Sequence, residues 1–318
     1  MTVSQKEKKP TSISDRKPLS IPYPKWKQIW LTCRGLFWSF WLIISLLTCN
    51  ALQTFSLLVW PFSKRFFRRI NQAMAHFWWT FFITVVEKKN KIKVTFWGQD
   101  VPEKEHVILI SNHQCMADIP TVMTLARRKQ RIGDLKFFVK DIIKYVPGVG
   151  WGMLFLDCLF VKRTWSADRE SISQTFRNIS RYKVPIWLVS YLEGTRFSAK
   201  KLISSRKFAA KAGHWMPEHV LLPRTKGFVA TVQGLRDCVS AIYDLTIGYP
   251  DGVPTLWQII SGFVPSLHVH ISRTAIVDIP TDPAEISNWV LEQFKKKDQL
   301  MSFFSQHGVF HGEPIKIQ

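Results

Sequence analysis

A histidine and an aspartate follow a short apolar run in the first half of the chain. His113 and Asp118 are five positions apart in the segment ISNHQCMADIP, directly after the run 107–109. A neutral imidazole can take a proton from a hydroxyl, and a nearby carboxylate can hold its tautomer and stabilise the imidazolium. The residue types therefore permit a general base at the end of a buried strand.

The spacing sets a geometric condition on this pair. On one regular helix, side chains five residues apart point about 140° away from each other and would not share a face. A direct hydrogen bond therefore requires a turn after His113 and a helix that begins near Asp118, with Pro120 in its first turn. The competing interpretation is that Asp118 only caps this helix and His113 is an ordinary loop residue. The segment alone leaves both interpretations open.

Two adjacent cations close another apolar run. Lys162 and Arg163 follow CLFV (158–161), downstream of a glycine-rich stretch. Adjacent cations at a strand end can bind a phosphate, and an arginine can do so in bidentate fashion. A solvated basic strand end is the alternative, and this segment does not decide between the two.

Two later motifs place charged residues beside glycine or proline. YLEGTR (191–196) closes an apolar strand, and its glycine turn separates Glu193 from Arg196. The turn would bring a carboxylate and a guanidinium to one edge of a sheet, either as part of a site or as a simple surface ion pair. In VLLPRTKGF (220–228), Pro223 breaks a strand ahead of cations that lead into a helix, and helix N-termini attract anions.

The elements that would position these residues alternate between strand and helix. β-Branched and aromatic runs predict strands at 92–97, 107–111, 135–139, 158–161, 185–192, 241–247 and 267–276. Amphipathic stretches predict helices around 119–131, 167–181, 199–213, 225–235 and 283–300. This order predicts an α/β domain with a mixed, mainly parallel central sheet flanked by helices. Such folds place ligands beyond the carboxyl ends of their strands.

A long uncharged stretch precedes this domain, between Arg34 and Lys64. It exceeds the roughly 20 residues that span a bilayer, so we expect membrane insertion. Because both flanks are basic, charge asymmetry gives no orientation. We therefore favour a helical hairpin that bends near residues 48–50 over a single span. The next apolar segment, 73–86, is short for a span and suits an interfacial helix.

These features divide the chain into four parts. We predict a disordered basic tail at 1–28, a membrane-inserted segment at 29–62, an interfacial helix at 63–90 and the α/β domain at 91–318. The tail is rich in lysine and proline, which argues against a packed structure. It is also too long and too charged for the start of a cleaved signal peptide.

The composition of the 318-residue chain limits the classes of partner. There are 44 Lys+Arg against 23 Asp+Glu, a formal net charge of +21, together with 14 Trp and 23 Phe. The charge attracts polyanions, and the aromatic residues favour an anionic membrane over nucleic acid. No zinc finger, basic zipper or RNA-recognition motif is found, so no nucleic-acid partner is expected. Five dispersed cysteines indicate a reducing compartment and no metal site.

Taken in order, the motifs resemble the four-block signature of the glycerolipid acyltransferase family. The blocks are H-x-x-x-x-D, GMLFLDCLFVKR (152–163), EGTR (193–196) and LPRTKG (222–227). Four ordered blocks make an accidental match implausible. The chain is most similar to the eukaryotic 1-acylglycerol-3-phosphate and lysocardiolipin acyltransferase-like branch, especially its fungal members, from about residue 58 to residue 308.

The resemblance implies a role for each block. His113 would deprotonate a lysophospholipid hydroxyl, which then attacks the acyl-CoA thioester, and Asp118 would orient His113. Cys115 would be a packing residue and not a nucleophile, because no acyl-enzyme is needed. The substrate-binding residues would be the phosphate-binding pair Lys162 and Arg163, then Glu193, Gly194, Thr195 and Arg196 at the glycerol phosphate, and Pro223 at the acyl or acceptor pocket. Basic residues of the following helix would contact the CoA phosphates or anionic headgroups: Lys200, Lys201, Arg206, Lys207 and Lys211.

The activity implied by the resemblance is that of an acyl-CoA:lysophospholipid O-acyltransferase, converting lysophosphatidic acid to phosphatidic acid. A remodelling enzyme acting on lysophosphatidylinositol or lysocardiolipin is the alternative, and an inactive membrane scaffold is the non-enzymatic one. We expect no cofactor or metal, with acyl-CoA as a co-substrate. The expected location is the endoplasmic reticulum membrane, or else a lipid droplet or mitochondrial membrane, with the active site facing the cytosol.

Overall fold

The computed structural model describes residues 16–20, 22–162 and 164–317. Arg163 and the first fifteen residues of the predicted tail lie outside the described residues. Within the described ranges, seven strands form one sheet: β1 (Lys93–Gly98), β2 (Val107–Ser111), β3 (Leu135–Lys140), β4 (Leu159–Val161), β5 (Trp187–Ser190), β6 (Ala241–Gly248) and β7 (Ser266–Ala275).

Nine α-helices in these same ranges connect and cover the strands. They are α1 (Lys25–Ser56), α2 (Lys64–Ile83), α3 (Asp118–Arg128), α4 (Val149–Phe155), α5 (Trp165–Arg181), α6 (Ala199–Ala212), α7 (Thr225–Leu235), α8 (Leu256–Ser261) and α9 (Pro283–His307). A π-helical turn, Thr84–Lys89, continues α2 toward β1.

The order of the strands across the sheet is β1-β7-β6-β2-β5-β3-β4. The five neighbouring strands from β6 to β4 are parallel, whereas β7 is antiparallel to β6 and parallel to β1. The predicted α/β class with a mixed sheet between helices is therefore confirmed.

Strand β2 occupies the centre of the sheet and is buried on both faces, as expected for a parallel strand covered by helices. Val107 and Leu109 belong to a core cluster with residues of α2 and α3. Ile108 and Ile110 point to the opposite face, where they join residues of α5, α7 and α9. All four side chains have 0% exposure. The strand therefore gives the segment that follows it a rigid starting point.

The register places three chain segments at one edge of the sheet. Ile110 pairs with Ser190 at the end of β5 and with Asp244 in β6. Neighbouring strands are about 4.8 Å apart, so the chain leaves β2 between the segments that follow β5 and β6. The segment carrying His113 thus emerges beside those carrying Glu193 and Tyr249.

Helix α1 differs from the predicted hairpin. It continues through Thr48–Asn50 without a bend, and the chain turns back only at 60–63, where the Ser63 hydroxyl caps α2 by accepting a hydrogen bond from Phe66 N at 3.2 Å. The predicted bend is wrong because no glycine or proline lies between Gly35 and Pro61 to interrupt the helix. Among the described residues, Lys25–Val59 is long and apolar enough to cross a membrane, judged by length and composition.

The prediction of a disordered tail is wrong for residues 25–28, which belong to α1, and for residues 16–20. Leu19 is buried, and its N–H donates to Val253 O at 3.0 Å. Val253 N in turn donates to Lys17 O at 2.9 Å. We call residues 16–20 the strap. Its apolar anchor and backbone pairing hold it on the α/β domain, and α1 begins only five residues later, at Lys25.

Two of the contacts between helix α1 and the domain lie far apart along the helix. Gly35 permits a close approach to α8, because a Cβ at this position would lie 2.0 Å from Ser261 Oγ. Beside it, Arg34 Nη2 donates to Ser261 O at 2.8 Å. Further along, Leu46 lies against Gly148, where a Cβ would be 2.9 Å from Leu46 Cδ2. Elsewhere α1 exposes large apolar side chains, among them Trp26, Trp30, Phe37, Phe40, Trp41, Leu52 and Phe55.

The close approach at Gly35 generates a stability prediction. Gly35→Leu should lower the free energy of unfolding by about 1–3 kcal/mol, because the added side chain overlaps α8. Denaturant unfolding of the detergent-solubilised chain measures this change. Gly227→Ala is the matched control, since no atom lies within 4 Å of a Cβ there and α7 should gain helix propensity. An unchanged unfolding midpoint for Gly35→Leu would contradict the packing described.

Candidate active site

The structure brings His113 and Asp118 into contact. His113 Nδ1 lies 2.9 Å from Asp118 Oδ2. The Asp118 side chain is fully buried, whereas 13% of the His113 side chain remains exposed. Helix α3 begins at Asp118 with Ala117 at the N-cap, so the turn and the helix start predicted for this segment are confirmed. The alternative in which Asp118 is merely the helix cap is wrong.

The Asp118 carboxylate accepts three further hydrogen bonds. Gln114 N and Cys115 N donate to Oδ2 at 2.6 and 2.9 Å, and the Tyr249 hydroxyl donates to Oδ1 at 2.8 Å. Such donors offset the cost of burying a charge and favour the ionised carboxylate. Because an ionised carboxylate only accepts hydrogen bonds, His113 Nδ1 carries the proton. The lone pair of Nε2 is then available to accept a proton from a substrate.

A tyrosine ring covers one face of the imidazole. The rings of Tyr191 and His113 are stacked with their centroids 4.1 Å apart and an interplanar angle of 20°. Tyr191 follows directly after β5, so the sheet itself positions this ring. Together with the bond to Asp118, the stacking fixes both the position and the plane of His113.

Side-chain amides tie the His113 loop to β6. Asn112 Nδ2 donates to Ile247 O at 3.0 Å, and Ile247 N donates to Asn112 Oδ1 at 2.8 Å. Gln114 Nε2 donates to the same carbonyl. These bonds continue the pairing of β2 with β6 beyond the end of the strand. His113 therefore lies on a loop that is anchored to β6 on both sides of it.

The Glu193 side chain accepts a hydrogen bond from the backbone of this loop. Its carboxyl group is buried, with Oε1 accepting from His113 N at 3.0 Å and Oε2 from Leu221 N at 3.3 Å. The sequence placed Glu193 at the acceptor, but both oxygens are committed to backbone N–H groups. It also forms no ion pair with Arg196 within the described residues, and Arg196 is exposed. The surface-pair alternative for this motif is therefore wrong.

The glycine of the EGTR motif is required by a close neighbour. Gly194 has a φ of +68°, and a Cβ there would lie 2.7 Å from Arg224 Nε. Arg224 N donates to Leu192 O at 2.8 Å, which joins the third block to the fourth just after the buried Pro223. Arg224 was not among the predicted site residues, yet its guanidinium lies against the motif.

The basic residues of α6 and the preceding turn differ in their surroundings. Lys201 Nζ donates to Thr195 Oγ1 and, at 3.0 Å, to Arg196 O, so this lysine holds the EGTR turn. Arg206 is half-buried. The remaining three are exposed and available to ligands in solution or at a surface: Lys200, Lys207 and Lys211.

The pair predicted to bind phosphate, Lys162 and Arg163, follows the edge strand β4 in the sequence. Lys162 is exposed, and its backbone N donates to Asp168 Oδ1 at 2.8 Å, while Thr164 N donates to Asp168 Oδ2 at 3.2 Å. Asp168 therefore shapes the chain around the pair, although Arg163 itself lies outside the described residues. Three strand spacings separate β4 from β2, about 14 Å, so Lys162 follows a strand that is distant from the one preceding His113 in the same sheet.

Several supporting residues were missed by the sequence analysis. Asn112 and Tyr191 are neighbours of recognised motifs, so adjacency was the available signal. Nothing in the local sequence connects Tyr249 with Asp118, which is 131 positions away. Cys115 behaves as expected, because burial and the Asp118 carboxylate raise the pKa of its thiol. Across the described residues, no group of three or more His, Cys, Asp or Glu side chains could hold a metal ion.

The environment of Glu193 generates a pH prediction. Burial raises the pKa of Glu193 to about 8, although the backbone donors and Arg16 act in the opposite direction. Between about pH 4.5 and 8 the folded chain keeps a proton that the unfolded chain has released, so the free energy of unfolding should fall as pH rises. Glu193→Gln should flatten this dependence, measured as the thermal unfolding midpoint across the window. The exposed Glu313→Gln is the control, and an equally steep dependence in Glu193→Gln would refute the assignment.

Two family models and one solved structure match this chain. Residues 93–249 match the family model described as acyltransferase, and residues 258–318 match the one described as acyltransferase C-terminus. The fold resembles the crystal structure of the 1-acyl-sn-glycerophosphate (LPA) acyltransferase PlsC from Thermotoga maritima. The TM-score is 0.51 at 15% identity, covering 87% of this chain and 97% of that one.

Sequence relatives extend over most of the chain. The human 1-acyl-sn-glycerol-3-phosphate acyltransferase gamma is 34% identical over 279 residues, covering 86% of this chain and 74% of that protein. The 1-acyl-sn-glycerol-3-phosphate acyltransferase 2 of Brassica napus is 33% identical over 277 residues, covering 85% and 71% respectively. The resemblance first indicated by four short motifs is thereby confirmed, and the chain belongs to the acyltransferase family.

Proposed function

We propose that the protein transfers an acyl group from acyl-CoA to lysophosphatidic acid and so forms phosphatidic acid. The observation that carries this proposal is the contact of His113 Nδ1 with the buried Asp118, which leaves Nε2 free at the sheet edge. The relatives named above are 1-acyl-sn-glycerol-3-phosphate acyltransferases, which supports this acceptor. No cofactor takes part in the reaction proposed.

In the proposed mechanism, His113 Nε2 removes the proton from the free hydroxyl of the glycerol backbone. The hydroxyl oxygen attacks the thioester carbonyl carbon, and the carbon–sulfur bond then breaks. The imidazolium returns its proton to the departing CoA thiolate, so the base is regenerated. Asp118 stabilises the imidazolium between these steps, and the rigid loop supplies the orientation that makes the attack efficient.

The acceptor phosphate is assigned to the cations beyond β4. Lys162 is exposed at this edge, and Asp168 orders the backbone on either side of the pair. We assign Lys162 and Arg163 as the phosphate ligands, with Arg196 and Arg224 contributing positive charge near the EGTR turn. Separate positions for the base and the phosphate would select a substrate by the distance between its hydroxyl and its phosphate.

The proposed reaction takes place at a membrane. Helix α1 is long and apolar enough to cross a bilayer and carries exposed aromatic side chains, which suit the membrane–water interface. We assign the protein to the endoplasmic reticulum membrane with its site toward the cytosol, where acyl-CoA is found. The net charge of +21 would hold the domain against an anionic surface.

The proposal is tested with purified protein in detergent, oleoyl-CoA and a panel of lysophospholipids. CoA thiol release gives the rate, and mass spectrometry identifies the product. Lysophosphatidic acid should be converted to phosphatidic acid. His113→Ala and Asp118→Asn should each lower kcat by about 10²-fold or more, because the proton acceptor is lost or misoriented. The exposed His311→Ala serves as the matched control, and full activity in His113→Ala would refute the mechanism.

The stacked tyrosine provides a finer test of how the base is positioned. Tyr191→Phe keeps the ring, so kcat should stay within about twofold of the parent. Tyr191→Leu removes the surface that fixes the imidazole plane, and kcat should fall about tenfold, since small misplacements of reacting groups are costly. The KM for each substrate should change little in either variant. Equal kcat values for the two variants would show that stacking does not position His113.

A further inference from the structure

A cleft of about 460 Å³ borders the His113–Asp118 pair at the carboxyl edge of the sheet. Gln114 and Tyr249 form part of its wall, and both hydrogen bond to Asp118. Met301 and Phe304 of α9 supply an apolar wall. The cleft is therefore lined by two residues that contact Asp118 directly.

The strap contributes two cations to this cleft, Arg16 and Lys17. The Arg16 guanidinium lies over the ring of Phe197, 4.6 Å from its centroid, and Nη2 donates to His219 O. Its Nε is buried without a hydrogen-bond acceptor among the described residues. A buried N–H of a guanidinium that has no acceptor is costly, and an anion beside the same guanidinium would offset this cost.

The nearby acidic side chains do not accept the unused hydrogen bond of Arg16 Nε. Asp118 and Asp298 attract Arg16 electrostatically, but neither they nor Glu193 accept a hydrogen bond from it within the described residues. Each is already committed: Glu193 and Asp118 to the groups described above, and Asp298 to the backbone N–H groups of residues 218–220.

The third cation of the cleft, Arg206, is also incompletely neutralised. Its Nε donates to Pro217 O at 2.7 Å, and its Nη2 lies 4.0 Å from a carboxylate oxygen of Glu218. The Glu218 side chain is 63% exposed, so this pair contributes little. Three cations thus face a cleft in which Glu218 is the acidic lining residue.

We propose that this cleft binds the phosphate groups at the nucleotide end of the acyl donor, with Arg16 and Lys17 as ligands. The identity of the donor as acyl-CoA rests on the proposed function. A guanidinium fork matches phosphate oxygens in bidentate fashion, and the apolar wall of α9 suits a nucleobase. The strap is then a part of the donor site, which no motif in the α/β domain would indicate.

The strap allows charge to be removed without releasing the chain. Lys17 is exposed and uses only its backbone carbonyl to pair with Val253, at 2.9 Å. Lys17→Ala and Lys17→Glu therefore change the charge of the cleft and leave the backbone pairing in place. Arg16→Ala removes the buried donor directly, and an exposed arginine of α5, Arg177→Ala, controls for the loss of one positive charge.

The test is isothermal titration of the full-length protein in detergent with adenosine 3′,5′-bisphosphate, the nucleotide end of CoA. Arg16→Ala should raise the Kd about tenfold, and Lys17→Glu should weaken binding more than Lys17→Ala. Arg177→Ala should bind within about twofold of the parent. Binding of the probe by Arg16→Ala and Lys17→Glu with parental affinity would overturn the proposal.

A second probe distinguishes the donor from the lipid headgroup. Glycerol 3-phosphate should bind the strap variants and the parent equally. Loss of its binding with the nucleotide unaffected would overturn the assignment to the donor. If Arg16→Ala does not fold, as judged by thermal unfolding, Lys17→Glu decides the question. Because the titration needs no turnover, strap-dependent nucleotide binding in a protein without transferase activity would refute the proposed function but not this site.

Discussion

The buried carboxylate of Asp118 is the constraint on which the site depends. An ionised carboxylate at 0% exposure is stable only when donors replace the water it has lost. Those donors come from the His113 loop and from Tyr249 beyond β6. The sheet order, with β2 between β5 and β6, brings these segments together. The strand order, the loop conformation and the orientation of His113 therefore all serve to surround one buried charge with hydrogen-bond donors.

The four motifs combine structural and chemical roles within a few residues. In EGTR, the carboxyl group of Glu193 turns inward to hold two backbone segments, whereas Arg196 points to solvent. Gly194, which lies between them, has no side chain and so leaves room for the side chain of Arg224 from the fourth block. Just after the second block, Asp168 accepts hydrogen bonds from the backbone N–H groups of Lys162 and Thr164. In both cases, a carboxyl group holds the backbone beside an exposed cation. The cation itself therefore needs no packing partner to keep its backbone in place.

The elements of the domain were readable from the sequence because their signals are local. Strand β2 was predicted at 107–111 and observed at Val107–Ser111, and α7 was predicted at 225–235 and observed at Thr225–Leu235. The predicted bend near residues 48–50 was wrong because the charges that flank an apolar segment do not indicate where a helix bends. The strap was not predicted because its partner, Val253, lies more than 230 positions away in the sequence. Tyr249 was missed for the same reason, since contacts between distant segments leave no period in the sequence.

The attachment of α1 at separated points has a further consequence for how the protein meets its acceptor. Contacts at Gly35 and at Leu46 join the apolar helix to the domain at separated points, so the helix cannot pivot freely. Under the proposed function, a domain joined to a membrane helix in this way would hold His113 at one height above the lipid plane. An acceptor embedded in that plane then reaches it by lateral diffusion, in two dimensions. For a protein anchored in this way, the occupancy of the acceptor site depends on the mole fraction of acceptor in the membrane surface. Diluting the acceptor with inert lipid therefore slows the reaction, even when the total amount of acceptor is unchanged.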